Sequence, residues 1–287
     1  MRFLAVCIAV AAMFSVCAAK DEFRADDFVR QHLNSIGTEQ ARAAVKNRAA
    51  EGKVEFTVPK GLGVLNGQEV LLSEGDKLAS QFKFSSISLR TEWFVRDGKK
   101  TSVIPVGPGM RSGFGLFVMV HDEILTEGLW GGILSTGWAL THLDERRAKL
   151  EDRGMKKVNG RQLRRIDYVP KKTSDLVIQL YFEPDTFRHV MTVYTIEAHF
   201  ATPWRLEERF SDFKKVDDLT LPTRWFIVFD SGGSQYRYDI IEERISHNSS
   251  LDPKNFEVKE DREAAIRSDR LSRQLLKTGN FTKFTMI

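Results

Sequence analysis

The run Leu176-Val177-Ile178-Gln179-Leu180-Tyr181-Phe182-Glu183-Pro184-Asp185-Thr186-Phe187-Arg188-His189-Val190-Met191-Thr192-Val193-Tyr194-Thr195-Ile196 decides the fold. Two segments rich in β-branched and aromatic residues flank Pro184-Asp185-Thr186, where proline presets φ and cannot donate into a central ladder, so the chain reverses there. Successive side chains on a strand point to opposite faces. Leu176, Ile178, Leu180 and Phe182 therefore share one face, and Val177, Gln179 and Tyr181 the other. Across His189–Phe200 the same pattern puts Val190, Thr192, Tyr194, Ile196, Ala198 and Phe200 on one side, with Glu197 and His199 opposite.

Outward from this hairpin the rhythm continues. Asn159-Gly160 lies between Arg147–Val158 and Arg161–Val169, and this dipeptide between two such runs is the strongest short-range hairpin signal because both turn residues need positive φ. Downstream, Arg205–Phe213, Pro222–Asp230 and Gln235–Ile245 are separated by turns at Val216-Asp217-Asp218 and Ser231-Gly232-Gly233, and Trp225, Ile227 and Phe229 extend the apolar face. Upstream, Val54, Phe56 and Val58 alternate with polar neighbours, and Leu62–Leu72, Lys77–Phe84, Ile87–Val95 and Lys100–Val106 read as strands, the last entered through Asp97-Gly98. The expected fold is mainly β (α+β): an incomplete antiparallel β-barrel of about ten or eleven strands with helical lid segments and an N-terminal helix pair. In that pair, Asp26-Asp27 supply an N-cap and Phe28, Leu33 and Ile36 a stripe that stops at Gly37; Thr38 opens a second helix through Ala41, Ala44 and Val45, ending near Gly52.

A sheet with one apolar face must be covered. Residues 107–143 interrupt the strands with Phe114, Leu116, Phe117, Val118, Met119, Ile124, Leu125, Leu129, Trp130, Ile133, Leu134 and Trp138 at near-helical spacing, punctuated by five glycines, Gly113, Gly115, Gly128, Gly131 and Gly132. The segment reads as a lid of short helices, or as a connection whose apolar residues complete the core; one object can be both.

The chain starts Met1-Arg2, runs apolar from Phe3 to Val16 and reaches Cys17-Ala18-Ala19 before Lys20-Asp21-Glu22. This reads as a secretory signal peptide, residues 1–19, and implies a periplasmic protein; the alternative is a protein lipid-anchored at Cys17. Both cysteines, Cys7 and Cys17, fall inside the signal, so residues 20–258, the expected half-barrel domain, offer no disulfide and no thiolate for zinc. Residues 259–287 form a charged C-terminal helix or tail with a thin stripe at Ile266, Leu271 and Leu275. Without Arg2 the chain carries 42 basic and 39 acidic residues, or +3, spread without a basic stripe, which argues against nucleic acid.

Catalytic constellations are absent from the sequence. His121-Asp122-Glu123 are adjacent, whereas helical metal ligands sit one turn apart on one face, and there is no His-Glu-x-x-His. His32, His142, His189, His199 and His247 have no mates in spacing. Gly107-Pro108-Gly109 lacks the following Gly-Lys-Ser/Thr of a phosphate loop, and Ser231-Gly232-Gly233-Ser234 is a turn. The expectation is a protein without enzymatic activity, cofactor or metal. Arg164-Arg165 and Lys171-Lys172 flank strands, solvated or placed for transient contact with anionic head groups at a membrane surface. In place of chemistry the chain has apolar area, with 20 Phe and 5 Trp. A curved sheet of this width can enclose a ligand cavity. The expected cavity and lid residues are Phe117, Leu129, Trp130, Trp138, Leu180, Phe182, Tyr194, Ile196, Trp225, Ile227 and Phe229.

The combination of His32-Leu33-Asn34-Ser35-Ile36-Gly37, Arg48 with Glu51-Gly52, the segment from His121 through Ile124-Leu125-Thr126-Glu127-Gly128-Leu129-Trp130-Gly131-Gly132-Ile133-Leu134 to Ser135, and Val216-Asp217-Asp218-Leu219-Thr220-Leu221-Pro222 resembles longer relatives of the periplasmic lipoprotein-sorting carriers of the LolA/LolB type, over about residues 25 to 258. The resemblance implies a non-catalytic hydrophobic cavity for lipoprotein acyl chains or other lipids, and envelope protein partners for hand-over. It also implies an arginine on the barrel that helps to hold the lid shut, for which Arg48, Arg90 and Arg96 stand as candidates. The central insertion and the tail after Val258 depart from the carriers' pattern. The competing expectation is an envelope structural or assembly factor without a ligand, whose apolar sheet face is simply a core.

Overall fold

The computed structural model describes residues 23–57, 59–61, 63–84, 91–106, 112–172, 174–196 and 204–258. The signal-peptide reading, the charged tail, Arg90, Ala198 and Phe200 lie outside the described residues.

Alternating sequence becomes strands throughout. The described residues hold β1 (Asn47–Thr57), β2 (Val64–Glu74), β3 (Lys77–Phe84), β4 (Thr91–Asp97), β5 (Thr101–Val106), β6 (Lys149–Val158), β7 (Arg161–Val169), β8 (Leu176–Phe182), β9 (His189–Ile196), β10 (Trp204–Val216), β11 (Leu219–Ser231) and β12 (Ser234–His247). All twelve, against the ten or eleven expected, join one antiparallel sheet in the order β5-β4-β3-β2-β1-β12-β11-β10-β9-β8-β7-β6. Two meanders are thus sewn together by the pairing of the first strand with the last. The sheet does not close: β5 and β6 are its two edges, and the fold is an open, half-barrel-like sheet with a few short helices. Asn159 and Gly160 turn β6 into β7 with φ of 50° and 80°, the conformation that selects this dipeptide.

Pairing register divides the residues into two faces. On the face we call concave, Val54 of β1 stands beside Ile240 and Gly67, and Trp225 lies between Ile240 and Phe210. Leu180 pairs with Thr192 and Ile178 with Tyr194 on the same side. The opposite face carries a smaller apolar cluster of Leu163, Tyr181, Val190, Met191 and Val193. Val190 therefore departs from its expected place on the Thr192 side. A register shift between Tyr181 and Phe182, which sets Met191 opposite Tyr181 and His189 opposite Phe182, leaves Val190 unpaired and turned over.

The helices sit on the concave side. Helix α1 (Ala25–Ile36) buries Phe28, His32 and Ile36 at four-residue spacing, and Phe28 meets Phe182 edge-on with ring centroids 4.9 Å apart. Arg24, not the aspartates, occupies the N-cap; Asp26 and Asp27 fall in the first turn, where their charge complements the helix dipole. Helix α2 (Glu39–Ala44) is capped by the Thr38 hydroxyl, as the sequence suggests, but ends at Ala44 and not near Gly52. The reason is pairing: Asn47–Thr57 alternates well enough to join both β2 and β12, and two ladders outweigh one more helical turn. Between β5 and β6 run α3 (Gly113–Val120), α4 (Glu123–Thr126), two short 3-10 turns and α5 (Leu143–Arg146). This is the stretch that the concave face buries.

Candidate functional site: a covered apolar face clamped by polar side chains

The residues expected to line a cavity meet in one cluster on the concave face. Phe117, Leu129, Trp130, Trp138, Leu180, Phe182, Tyr194, Trp225, Ile227 and Phe229 all belong to the same buried core, and Ile196 packs against it from its rim. Trp130 is the hub. Its ring stacks on Phe94 with centroids 5.0 Å apart, meets Trp225 edge-on at 5.2 Å and packs on Phe114 at 5.7 Å. Phe117 lies against Trp204 and Phe229, and Trp138 stacks on His189 at 4.7 Å. The covering segment, residues 113–146, therefore fills the concave face with its own side chains: Leu129 and Trp130 are wholly buried. Two surface depressions, of about 450 and 270 Å³, lie elsewhere, the first by Lys77 and Phe256 and the second on the outer face between Arg205 and Arg237.

Of the three candidate latch arginines, Arg48 and Arg96 both reach the cover, but the other groups that hold it had no signal in the sequence. The backbone groups of the cover, and the side chains of Ser112 and Glu127, are met by side chains reaching from the sheet, one strand after another. Arg48 of β1 donates from Nη1 to the carbonyl of Ile133 at 2.6 Å, and from Nε to His247. Glu208 of β10 accepts the Gly131 N–H at 2.9 Å, together with the Trp225 indole and the Tyr194 hydroxyl. Glu92 of β4 accepts both the N–H and the hydroxyl of Ser112, the residue that caps α3. Ser73 of β2 accepts the Thr136 N–H at 3.0 Å, and Tyr168 of β7 donates to Glu127. Arg96 of β4 points Nη1 at the carbonyl of Leu125, 3.4 Å away, while its Nη2 pairs with Asp76. Arg146, from the end of the cover itself, ties Thr126, Gly137 and Asp76 together.

Each clamp is a charged or polar group in a dry site, where a hydrogen bond is strong and an unmet partner is costly. Burial lowers Arg48 to about 10, which leaves it charged at neutral pH. Burial pushes Glu208 up to about 7, although its three donors favour the anion. The cover is also tight: at Gly128, whose φ is +68°, a Cβ would lie 1.9 Å from the carbonyl oxygen of Gly137. Trp138 is held by a further chain, since its indole donates to His32 Nε2 at 2.9 Å and His32 Nδ1 donates to the Phe187 carbonyl. Burial lowers His32 to about 4, with the Arg42 charge adding a little in the same direction.

Two histidines that spacing left without mates thus come together in space: the rings of His32 and His189 are 6.5 Å apart, and both touch Trp138. Histidines 157 positions apart leave no spacing signal. Among the described residues no group of three or more His, Cys, Asp or Glu side chains could hold a metal ion. His121 faces Glu123 and Asp175 at 3.7 and 3.6 Å, a local charge cluster. Arg164 and Arg165 are engaged, with Asp152 and Asp167 respectively, whereas Lys171 and Lys172 are exposed. No helix among the described residues is long and apolar enough to cross a membrane.

No family model and no curated protein matches the chain. Solved structures that are similar to it include a DUF1329 family protein from Desulfovibrio piger, 11% identical, with 81% of this chain and 97% of that chain covered and a TM-score of 0.49. A LolA superfamily protein from Nitrosomonas europaea is 12% identical over 83% of this chain and 99% of its own, with a TM-score of 0.47. A putative outer membrane lipoprotein-sorting protein domain from Vibrio parahaemolyticus is 11% identical over 81% and 97%, with a TM-score of 0.45.

Proposed function

We propose that the chain is a periplasmic carrier or binding protein for lipoprotein acyl chains or other lipids, in which residues 113–146 act as a lid that leaves the concave face when an acyl chain enters. The observation that carries this reading is the way the cover is attached: its backbone is gripped by Arg48, Glu92, Glu208 and Ser73 from four different strands. These grips fix a single register for the segment when it docks, because a buried donor or acceptor left unmet is costly. Arg48 takes the part that the family resemblance assigns to a latch arginine. Displacing the lid exposes Trp130, Trp138 and Phe117. Burial of an acyl chain offsets that, at about 0.8 kcal/mol per methylene and thus on the order of 10 kcal/mol gross for some 14 carbons. The pocket residues expected from the sequence are those the lid now covers, Leu180, Phe182, Tyr194, Trp225, Ile227 and Phe229, with Ile196 at the rim.

A second reading, an envelope assembly or structural factor with no ligand, is favoured by the completeness of the packing, since Trp130 and Trp225 are as buried as any core residue. A tether separates the two. Ser73→Cys with Thr136→Cys places a disulfide where the Ser73 hydroxyl now accepts the Thr136 N–H. In the carrier, a fluorescent fatty-acyl probe binds the reduced double variant and is shut out of the oxidised one, with reductant restoring uptake. A protein that refuses the probe in both states is the assembly factor.

A further inference from the structure

One polar feature of the concave face belongs to no clamp. Gly52 of β1 pairs with Glu69 of β2 on one flank and with Glu242 of β12 on the other, so the two carboxylates face inward with no side chain between them. They are 1% and 6% exposed, and among the described residues no group outside the pair donates to their four oxygens. On the same face Glu92 and Glu208 are each committed to the cover. The neighbours do not help: Arg48 is committed to Ile133 and His247, and Thr223, on the strand beyond Glu242, donates to the Asp212 carbonyl. Ser80 of β3, diagonal to Glu69 across the β2–β3 register, also buries a hydroxyl with no partner. Burial raises Glu69 well above its ordinary value; the Glu242 charge and a hydrogen bond between the two carboxyls add to this, and Glu51 contributes a further like charge. Buried polar groups left unmet in a native structure call for an explanation.

We propose that Glu69 and Glu242, with the Ser80 hydroxyl beside them, are the headgroup subsite of the concave face and take the primary ammonium of an amine-bearing amphiphile after the lid has moved. This deepens the carrier reading and rests on it. An ammonium brings three N–H donors and one positive charge to four waiting oxygens, and its charge removes the repulsion between the two carboxylates. An anionic head group, phosphate or carboxylate, meets like charge there. A calcium ion takes six to eight oxygen ligands, more than two carboxylates and a hydroxyl supply.

The test uses three amphiphiles with the same twelve-carbon chain, dodecylamine, dodecanol and dodecanoate, each competing below its micellar concentration with a fluorescent acyl probe at pH 7.5. Wild type should bind dodecylamine at least tenfold more tightly than dodecanol and dodecanoate least tightly. Glu69→Gln with Glu242→Gln should abolish that preference and leave the dodecanol affinity unchanged; Glu243→Gln, on an exposed side chain, should change nothing. A second readout needs no variant: calorimetric titrations of wild type in buffers of different ionisation enthalpy should show proton release with dodecylamine and none with dodecanol. Equal binding of all three amphiphiles, or a preference for dodecanoate, overturns the subsite and leaves the carrier reading standing. Failure of all three to bind removes both.

Discussion

Arg48 is the residue on which most of the account turns. Its guanidinium is buried, has no carboxylate partner among the described residues, and donates to one carbonyl of the cover and to His247, whose Nδ1 in turn donates to Asp217. A hydrogen bond from a charged donor contributes about 1.5–3 kcal/mol. Arg48→Ala should therefore lower the unfolding free energy by an amount in that range and speed uptake of an acyl probe; urea titration checks the first half and stopped-flow fluorescence the second, and slower uptake would count against a latch. His32 gives a prediction with a definite sign. Its folded value near 4 lies below its ordinary 6.5, so the unfolded chain takes up a proton that the folded chain refuses. Stability is full above pH 6.5 and falls as pH drops to 4, by on the order of 3 kcal/mol at 1.36 kcal/mol per unit. Burial lowers His189 as well. In His32→Gln, urea midpoints measured between pH 4 and 7 should show an acid limb one proton shallower than wild type; an unchanged limb would place the titration elsewhere. The sequence offered Arg48 only as one of three candidate arginines and gave no role for His32, because the partners of Arg48 lie 85 and 199 positions away and those of His32 106 and 155.

At the scale of elements, what was legible followed local rules. Alternation located the strands, Asn159-Gly160 and Ser231-Gly232-Gly233 located turns, and near-helical spacing with five glycines located the stretch from Gly113 onward that breaks the meander. What was missed depended on pairing. Residues 47–52 belong to β1 because two neighbouring strands claim them, and Val190 changes face because of a one-residue shift between β8 and β9. Gly128 of the cover and Gly154 of β6 have positive φ for different reasons, and this can be measured. Gly154 has φ of +71° with nothing within 4 Å of a Cβ, so Gly154→Ala should cost about 1–2 kcal/mol from backbone conformation alone. Gly128→Ala adds a 1.9 Å approach to the Gly137 carbonyl and the Arg146 guanidinium at 2.9 Å. It should destabilise the protein by clearly more than Gly154→Ala in urea unfolding; equal losses would mean that the cover has room to shift.

For the molecule as a whole, the sheet curves around a segment that is both its core and its cover. The fold class was readable because an apolar, aromatic-rich face on a long meander has few other solutions. The extent of the site was only half readable: apolar side chains announced the covered face, whereas the polar grips on the cover join residues that only the assembled sheet brings together. An open sheet whose cover is held by side-chain hydrogen bonds should open in a unit that excludes the strands. The most direct measurement is hydrogen exchange of the backbone amides, followed with and without a twelve- to sixteen-carbon acyl ligand. The account predicts that ligand accelerates exchange across residues 113–146, including the Gly131 and Thr136 amides now bound to Glu208 and Ser73, while β1, β11 and β12 stay protected. Amides of 113–146 that exchange only with global unfolding, whatever acyl ligand is present, would contradict it and leave the segment as a permanent part of the core.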